Sequence, residues 1–309
     1  MQKLGRICYE RRHIMFGLYF GEYLLEKSKI SQMQLEEILK QQESSRVKLG
    51  LIAVAEKLLT DKQAEELNEL QKRKDSRFGD IAIEKGYLVK EEVEHLLNLQ
   101  GNPYLKFIQS LVEQNIMTMD EIELCLEEFK KDRGFTNAEL DALKSGDIDR
   151  IIPVFVNADI PLAGECITLA IRNIIRFINN NIKLDKAYTV KEYSFPSIAF
   201  QQLIGDHELL LGFAGEDDAL LHIASPFAKE DFEIMDEDAF DSVCEFINCN
   251  NGLYASKLSA EDIHVDMTPP SFARNQTLSS DGNIHVVPII INGKQVDLLL
   301  TVDQKIEIK

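Results

Sequence analysis

The sequence is short of basic residues: 34 Lys and Arg stand against 52 Asp and Glu, a formal net charge of −18 with His neutral. A surface of that sign repels a phosphate backbone, which argues against a nucleic-acid partner and suits docking on a basic patch. Paired cysteines are missing as well. The five (Cys8, Cys125, Cys166, Cys244 and Cys249) are odd in number, form no CxxC pair and sit in apolar or helical contexts. They read as buried free thiols in a reducing compartment. No two of the six histidines (His13, His95, His207, His222, His264, His285) stand at a metal-ligand spacing, so no zinc site is expected. No apolar run approaches the ~20 residues that span a bilayer. Glu10, Arg11 and Arg12 ahead of a short apolar stretch do not make a signal peptide. The expectation is a cytoplasmic protein with no membrane span, metal site or cofactor of its own. Its 309 residues suffice for two domains.

What the first half does contain is an internal repeat. Phe20-Gly21, Leu49-Gly50 and Phe78-Gly79 recur every 29 residues, and Gln42, Gln71 and Gln100 each lie 21 residues after the glycine. A worn fourth copy starts near Phe107, with Ile116 in the place of Ile30, Leu59 and Leu88. Each unit reads as two short helices about a turn. The second helix opens on a capping-box spacing: Ser31 with Gln34, Thr60 with Gln63, Thr118 with Glu121. The third unit has Val89 there and loses half of the device. Leu35, Ile38 and Leu39 mark an apolar face that only stacked neighbours can cover.

Over 16–130 these units resemble the MshEN repeats at the N-terminus of type II secretion and MshE-like ATPases. The resemblance implies a helical array and, for some members, binding of cyclic di-GMP through paired motifs beginning Arg-x-Gly. Here only Arg77-Phe78-Gly79 has the Arg; the other copies read Tyr19-Phe20-Gly21 and Lys48-Leu49-Gly50. Arg77 and Gly79 are therefore the candidate nucleotide contacts, beside the other reading of a structural or partner-binding array. The organisation expected is an arm at 1–15, the array at 16–130, a polar linker at 131–150 in which 137–143 can form one helix and Ser145-Gly146-Asp147 is a turn signal, and a second domain at 151–309.

The second half changes pattern. Residues 163–179 predict a helix apolar on one side, and strand-like runs follow at 197–203, 208–213 and 219–224. The runs 284–291 and 295–302 flank Asn292-Gly293, the strongest short hairpin signal. This predicts an α+β domain whose antiparallel sheet is covered by helices on one face.

The informative segment is a helix over 240–251, following the acidic Asp236, Glu237 and Asp238. At 100° per residue Phe240, Val243, Cys244 and Ile247 share one side. Asp241, Glu245, Asn248 and Gly252 share the other. Periodicity alone makes that stripe the wet face of an amphipathic helix. The pattern Asp241-x3-Glu245-x2-Asn248, with Pro269-Pro270 some twenty residues on, also resembles the signature helix of CheX, CheC and FliY-type phosphatases, over most of 151–309. Two departures stand out. The small residues usual after the Asn are replaced by Cys249-Asn250-Asn251-Gly252. The second Glu-x-x-Asn of CheC-like members is missing, since Glu165 is followed by Thr168, which leaves the one-site CheX-like pattern.

The resemblance implies hydrolysis of the aspartyl phosphate on a CheY-like receiver. Asn248 would orient the attacking water, and Glu245 would pair with the receiver's Lys. Asp241 and Gly252 would belong to the docking surface, and Mg²⁺ would come with the receiver. It also implies a homodimer through this domain. Two rivals share the same residues: a non-enzymatic adaptor, and a cyclic di-GMP-responsive regulator that docks on a receiver. Metal-dependent hydrolysis lacks ligands, because Asp217-Asp218 and Asp236 to Asp238 read as turn and helix-start residues.

Overall fold

The computed structural model describes residues 15–42, 46–74, 76–156 and 161–309. The expected arm, with Cys8, Arg11 and His13, lies outside the described residues except for Met15. The chain divides into two compact units between Asp147 and Ile148.

In the first unit the 29-residue period is a period of helix pairs. They are α1 (Met15–Glu26) with α2 (Gln32–Gln41), α3 (Leu49–Ala55) with α4 (Asp61–Arg73), α5 (Phe78–Glu84) with α6 (Lys90–Leu99), and α7 (Pro103–Glu113) with α8 (Met119–Arg133). Each intervening turn holds one left-handed residue: Ser28, Lys57, Gly86 and Asn115, at φ of 56, 58, 70 and 53°. These four are themselves 29 apart, so the worn fourth copy keeps the register of the other three. The capping boxes at Ser31, Thr60 and Thr118 form as the spacing predicts. At Val89, which has no side-chain acceptor, only the Glu92 carboxylate bonding back to the Val89 N–H survives, at 2.8 Å.

The repeated glycines have a steric origin. A Cβ on Gly21 would lie 2.3 Å from Leu35 Cδ1, and one on Gly79 would lie 2.6 Å from Val93 Cγ1. In both pairs the contact comes 14 residues after the glycine, where the second helix crosses the first. After Gly50 the same place holds Ala64, and the nearest group is instead the Phe78 ring at 3.2 Å. The core is aliphatic around Ile52, Leu67, Ile81 and Leu96. It is aromatic where Phe16, Phe20, Tyr23, Phe107 and Phe129 meet, mostly at tilted and edge-on angles, with Phe20 and Tyr23 stacked.

The stretch 131–150, expected as a linker, is mostly folded. It carries α9 (Asn137–Ser145), with Leu140 and Leu143 buried, a Thr136–Glu139 capping box, and a left-handed Gly146 closing the helix. The helix read over 137–143 thus runs two residues further, its turn falls at Gly146 as the sequence suggests, and the division of the chain comes after it.

The second unit runs α10 (Ile148–Phe155), α11 (Pro161–Asn173) with a π turn (Ile174–Ile178), β1 (Ile182–Leu184), β2 (Tyr188–Gly205), β3 (Leu209–Gly215), α12 (Asp217–Ala228), α13 (Glu237–Ala260), β4 (Val265–Met267), β5 (Ser271–Ile291), β6 (Lys294–Val302) and β7 (Ile306–Ile308). All pairings are antiparallel. Strand β5 pairs with β2 and then with β6, β6 pairs with β3, and β3 pairs with β2, so the four long strands close on one another. Val286 faces Tyr188 of β2 on one side and Leu299 of β6 on the other. Helices α11, α12 and α13 pack on one another and on these strands.

The Asn292-Gly293 hairpin forms with φ of 51 and 78°, as a type I′ turn requires. The run 219–224, expected as a strand, is the middle of α12. Five apolar residues and His222 do not fix a period; Asp217 and Asp218 at the positive end of the helix dipole do favour the helix. The signature helix is also twice the expected length, 24 residues.

Candidate functional site

Helix α13 begins at Asp236, whose carboxylate caps it by accepting from the Ala239 N–H at 3.0 Å. Glu237 and Asp238 occupy its first turn. Phe240, Val243, Cys244 and Ile247 are buried, which fixes the rotation of the helix. That rotation leaves Asp241 and Glu245 exposed and Asn248 and Gly252 half-buried along one stripe. The structure thus brings together the four residues picked on this helix.

Asn248 is held from below. Its Oδ1 accepts from Gln201 Nε2 of β2 at 2.9 Å, and its Nδ2 faces Glu245 Oε2 at 3.4 Å. Gln201 Nε2 also donates to the Thr268 carbonyl at 2.8 Å, while Gln201 Oε1 accepts from Asn251 Nδ2 at 2.9 Å. Gln201 and Asn251 are only 1% and 0% exposed. One position before Asn251, the buried Asn250 Oδ1 accepts from Asn173 Nδ2 of α11 at 2.7 Å. Thr268 is pinned in turn, its N–H donating to the Gln202 carbonyl at 3.0 Å, and this fixes Pro269-Pro270 at the end of β4.

The two asparagines that look like departures from the small-residue run, Asn250 and Asn251, are therefore tie points between α13 and the rest of the domain. Gln201, Thr268 and Asn173 were not picked from the sequence. Gln201 did leave a signal: an amide inside the apolar strand run Ile198, Ala199, Phe200, Leu203.

Around the stripe, Gly252 leaves open room, since a Cβ there would meet nothing nearer than Met267 Cε at 3.8 Å. Leu253 and Met267 are exposed apolar neighbours at 49% and 42%. Cys249 departs from the expectation of buried thiols: it is exposed, and its Sγ lies 3.7 Å from Glu245 Oε1. Burial and the Glu245 carboxylate both push its thiol up. Burial, then Asp241, pushes Cys244 up to about 11. Neither offers a thiolate near neutral pH.

The acidic pairs behave as structural groups. Asp217 accepts from Ser197 Oγ at 2.6 Å and pairs with Arg274 at 3.2 Å, and Asp218 pairs with Lys294 at 2.6 Å. Glu165 bridges α11 to α13 through Lys257 at 2.7 Å. Among the described residues no group of three or more His, Cys, Asp or Glu is arranged to hold a metal ion, and no helix is long and apolar enough to cross a membrane. Arg77 and Gly79 lie in the first unit. Arg77 is exposed at the start of α5 with no side-chain capping bond, and Gly79 is buried against Val93.

The site is thus a helix bearing an exposed Glu and a clamped Asn one turn apart, laid on a closed antiparallel sheet. Residues 197–295, which hold Gln201, Glu245, Asn248 and Pro269-Pro270, match the family described as "Chemotaxis phosphatase CheX". Solved structures similar to the chain include a CheC-like superfamily protein from Shewanella sp. PV-4, at TM-score 0.42 and 19% identity, covering 47% of this chain and 98% of that one. The chemotaxis protein CheX from Vibrio vulnificus is similar at TM-score 0.40 and 14% identity, covering 46% of this chain and 98% of that one. The CheX-CheY-BeF3-Mg²⁺ complex from Borrelia burgdorferi matches at TM-score 0.38 and 18% identity, covering 46% and 98%. No curated protein sequence matches the chain.

Proposed function

We propose that the second unit hydrolyses the aspartyl phosphate of a CheY-like receiver. The observation that carries this reading is the Glu245–Asn248 pair on the outer stripe of α13, inside the region that matches a phosphatase family.

An aspartyl phosphate is already an activated acyl phosphate, so catalysis is mainly positioning and charge. In the proposed step a water oxygen bonds to phosphorus as the bond to the aspartyl oxygen breaks. The carboxylate leaves with the electron pair, and the water's proton passes through phosphate to solvent. Asn248, clamped but half-exposed, enters the receiver's site and orients that water. A side-chain amide can donate and accept at once, which suits the task. Holding the water in line removes an entropic part of the barrier, worth up to several kcal/mol, about 7–11 in the best-aligned intramolecular cases. Glu245 pairs with the receiver's lysine and sets the register of docking, with Asp241, Gly252 and the apolar Leu253 and Met267 around it. Mg²⁺ arrives with the receiver.

The test is phosphate release from a panel of phosphorylated receivers, with and without the full chain. Acceleration by the wild type that disappears in Asn248→Ala, while docking persists, supports the assignment. Full activity in Asn248→Ala would place the site elsewhere, and no acceleration with any receiver would leave docking without catalysis, an adaptor. For the first unit we favour a structural or partner-binding array over a cyclic di-GMP site, because packing against Val93 already accounts for Gly79.

A further inference from the structure

We infer that Gln201 is the positioning residue for Asn248, acting through an orientation relay that starts at the Thr268 carbonyl. The catalytic part of this inference rests on the phosphatase reading; the orientation part does not.

A side-chain amide has one end that donates and one that accepts, and by itself either end can face a partner. At this site a group that cannot reverse removes that freedom. The Thr268 carbonyl only accepts, and it is held in place because Thr268 N–H and Oγ1 both bond to the Gln202 carbonyl, at 3.0 and 3.1 Å. Gln201 must therefore point its Nε2 at Thr268, at 2.8 Å. Its Oε1 then points at Asn251, which meets it with Nδ2 at 2.9 Å. The remaining Nε2 proton goes to Asn248 at 2.9 Å, so the atom of Asn248 that faces inward is Oδ1. Nδ2 is left on the outer side, toward Glu245 at 3.4 Å.

The burial pattern makes the relay stiff at its base and open at its tip. Gln201 and Asn251 are sealed, while Asn248 reaches the surface. A reversed Gln201 would bring its Oε1 against the Thr268 carbonyl, which cannot turn round, and leave that acceptor without its donor at a cost of about 1–3 kcal/mol. The Asn248 amide is thus presented to a partner in one orientation, with one Oδ1 lone pair occupied and its N–H₂ outward. A water positioned by this side chain meets a fixed donor and a fixed acceptor rather than a rotor.

Gln201→Met keeps the length of the side chain and removes both ends of the relay; Gln201→Glu keeps the shape and replaces the donor by an acceptor. With a phosphorylated CheY-like receiver that the wild-type full chain dephosphorylates, both variants should lower kcat by about 10- to 100-fold, the scale of a misplaced reacting group, with KM unchanged. A rise in KM at unchanged kcat would make Gln201 a docking residue and overturn the proposal.

A second readout needs no receiver. In the wild-type protein, the Asn248 side-chain amide protons, assigned by their loss in Asn248→Ala, should give two signals displaced from the shifts of a free Asn amide. Gln201 Nε2 protons should show contacts to Asn248. In the variants the Asn248 pair should move to free-amide shifts. Wild-type signals that already stand at free-amide shifts, or that are unchanged by Gln201→Met, overturn the relay even if a variant folds poorly in the kinetic assay. If the wild type accelerates no receiver, the phosphatase reading falls and the amide signals alone decide the orientation claim.

Discussion

Adding one methyl group at Gly79 should be costlier than adding one at Gly50, although both glycines occupy the same place in the repeat. The new Cβ at position 79 would lie 2.6 Å from Val93 Cγ1, whereas at position 50 the nearest atom is on the Phe78 ring at 3.2 Å. Carbon atoms pack best at about 3.5–4.0 Å, so α5 and α6 must part by roughly 1 Å in the first case and far less in the second. Val93 offers little relief, because a β-branched side chain in a helix has one strongly preferred χ1. Overpacking of this kind costs about 1–3 kcal/mol, partly offset by about 0.8–1 kcal/mol of helix propensity gained on replacing Gly by Ala.

Gly79→Ala should therefore be net destabilising by up to about 2 kcal/mol, a large share of the ~5–15 kcal/mol that holds a domain together. Gly50→Ala should be close to neutral. Adding Val93→Ala to Gly79→Ala should recover most of the loss, a coupling of about 1–2 kcal/mol between contacting sites. The assay is hydrogen exchange of the amides of α5 and α6 in the full chain. It reports this helix pair without assuming that the two units unfold together. If Gly79→Ala protects those amides as well as the wild type does, the packing account of the repeated glycine is wrong. Its place in an Arg-x-Gly motif beside Arg77 would then need a ligand to explain it, and a cyclic di-GMP titration would be the next experiment.

Val89→Thr should restore the missing half of the third capping box, where Glu92 already bonds to the residue-89 N–H, and add about 0.5–1 kcal/mol to α6; no gain in a denaturant titration would count against the cap assignment. His285, half-buried on β5, has its imidazole held below the ordinary 6.5 by loss of solvation. The unfolded chain then takes up a proton that the folded one resists, so its contribution is full above 6.5 and is lost as pH falls from there toward the folded value. Denaturation of wild type and His285→Gln at neutral and mildly acidic pH checks this, and an equally steep acid loss in both would refute it.

Much of this protein was legible because its local chemistry is short-range. The Ser31, Thr60 and Thr118 caps and the Asn292-Gly293 turn each depend on residues within a few positions of one another, and the 29-residue spacing is a repeat that the sequence shows directly. The amphipathic stripe of α13 likewise follows from 3.6 residues per turn, and it placed Asp241, Glu245, Asn248 and Gly252 on one side before any fold was known. Other features depend on partners distant in sequence. The polar strand segments 188–196 and 271–283 carry weak alternation and are strands because they pair with each other. The run 219–224 is too short to choose its own period.

The same division runs through the site. The sequence by itself determined that an exposed carboxylate and an amide sit one turn apart on a helix, since helical geometry needs no tertiary contact. Only the tertiary structure decided which way that amide points. The answer comes from Gln201, 47 positions before Asn248, and from the Thr268 carbonyl, 67 positions after Gln201. A hydrogen-bond relay across strand, helix and loop has no period to read, and it exists only once folding has brought Gln201, Asn248, Asn251 and Thr268 together and excluded water from between them.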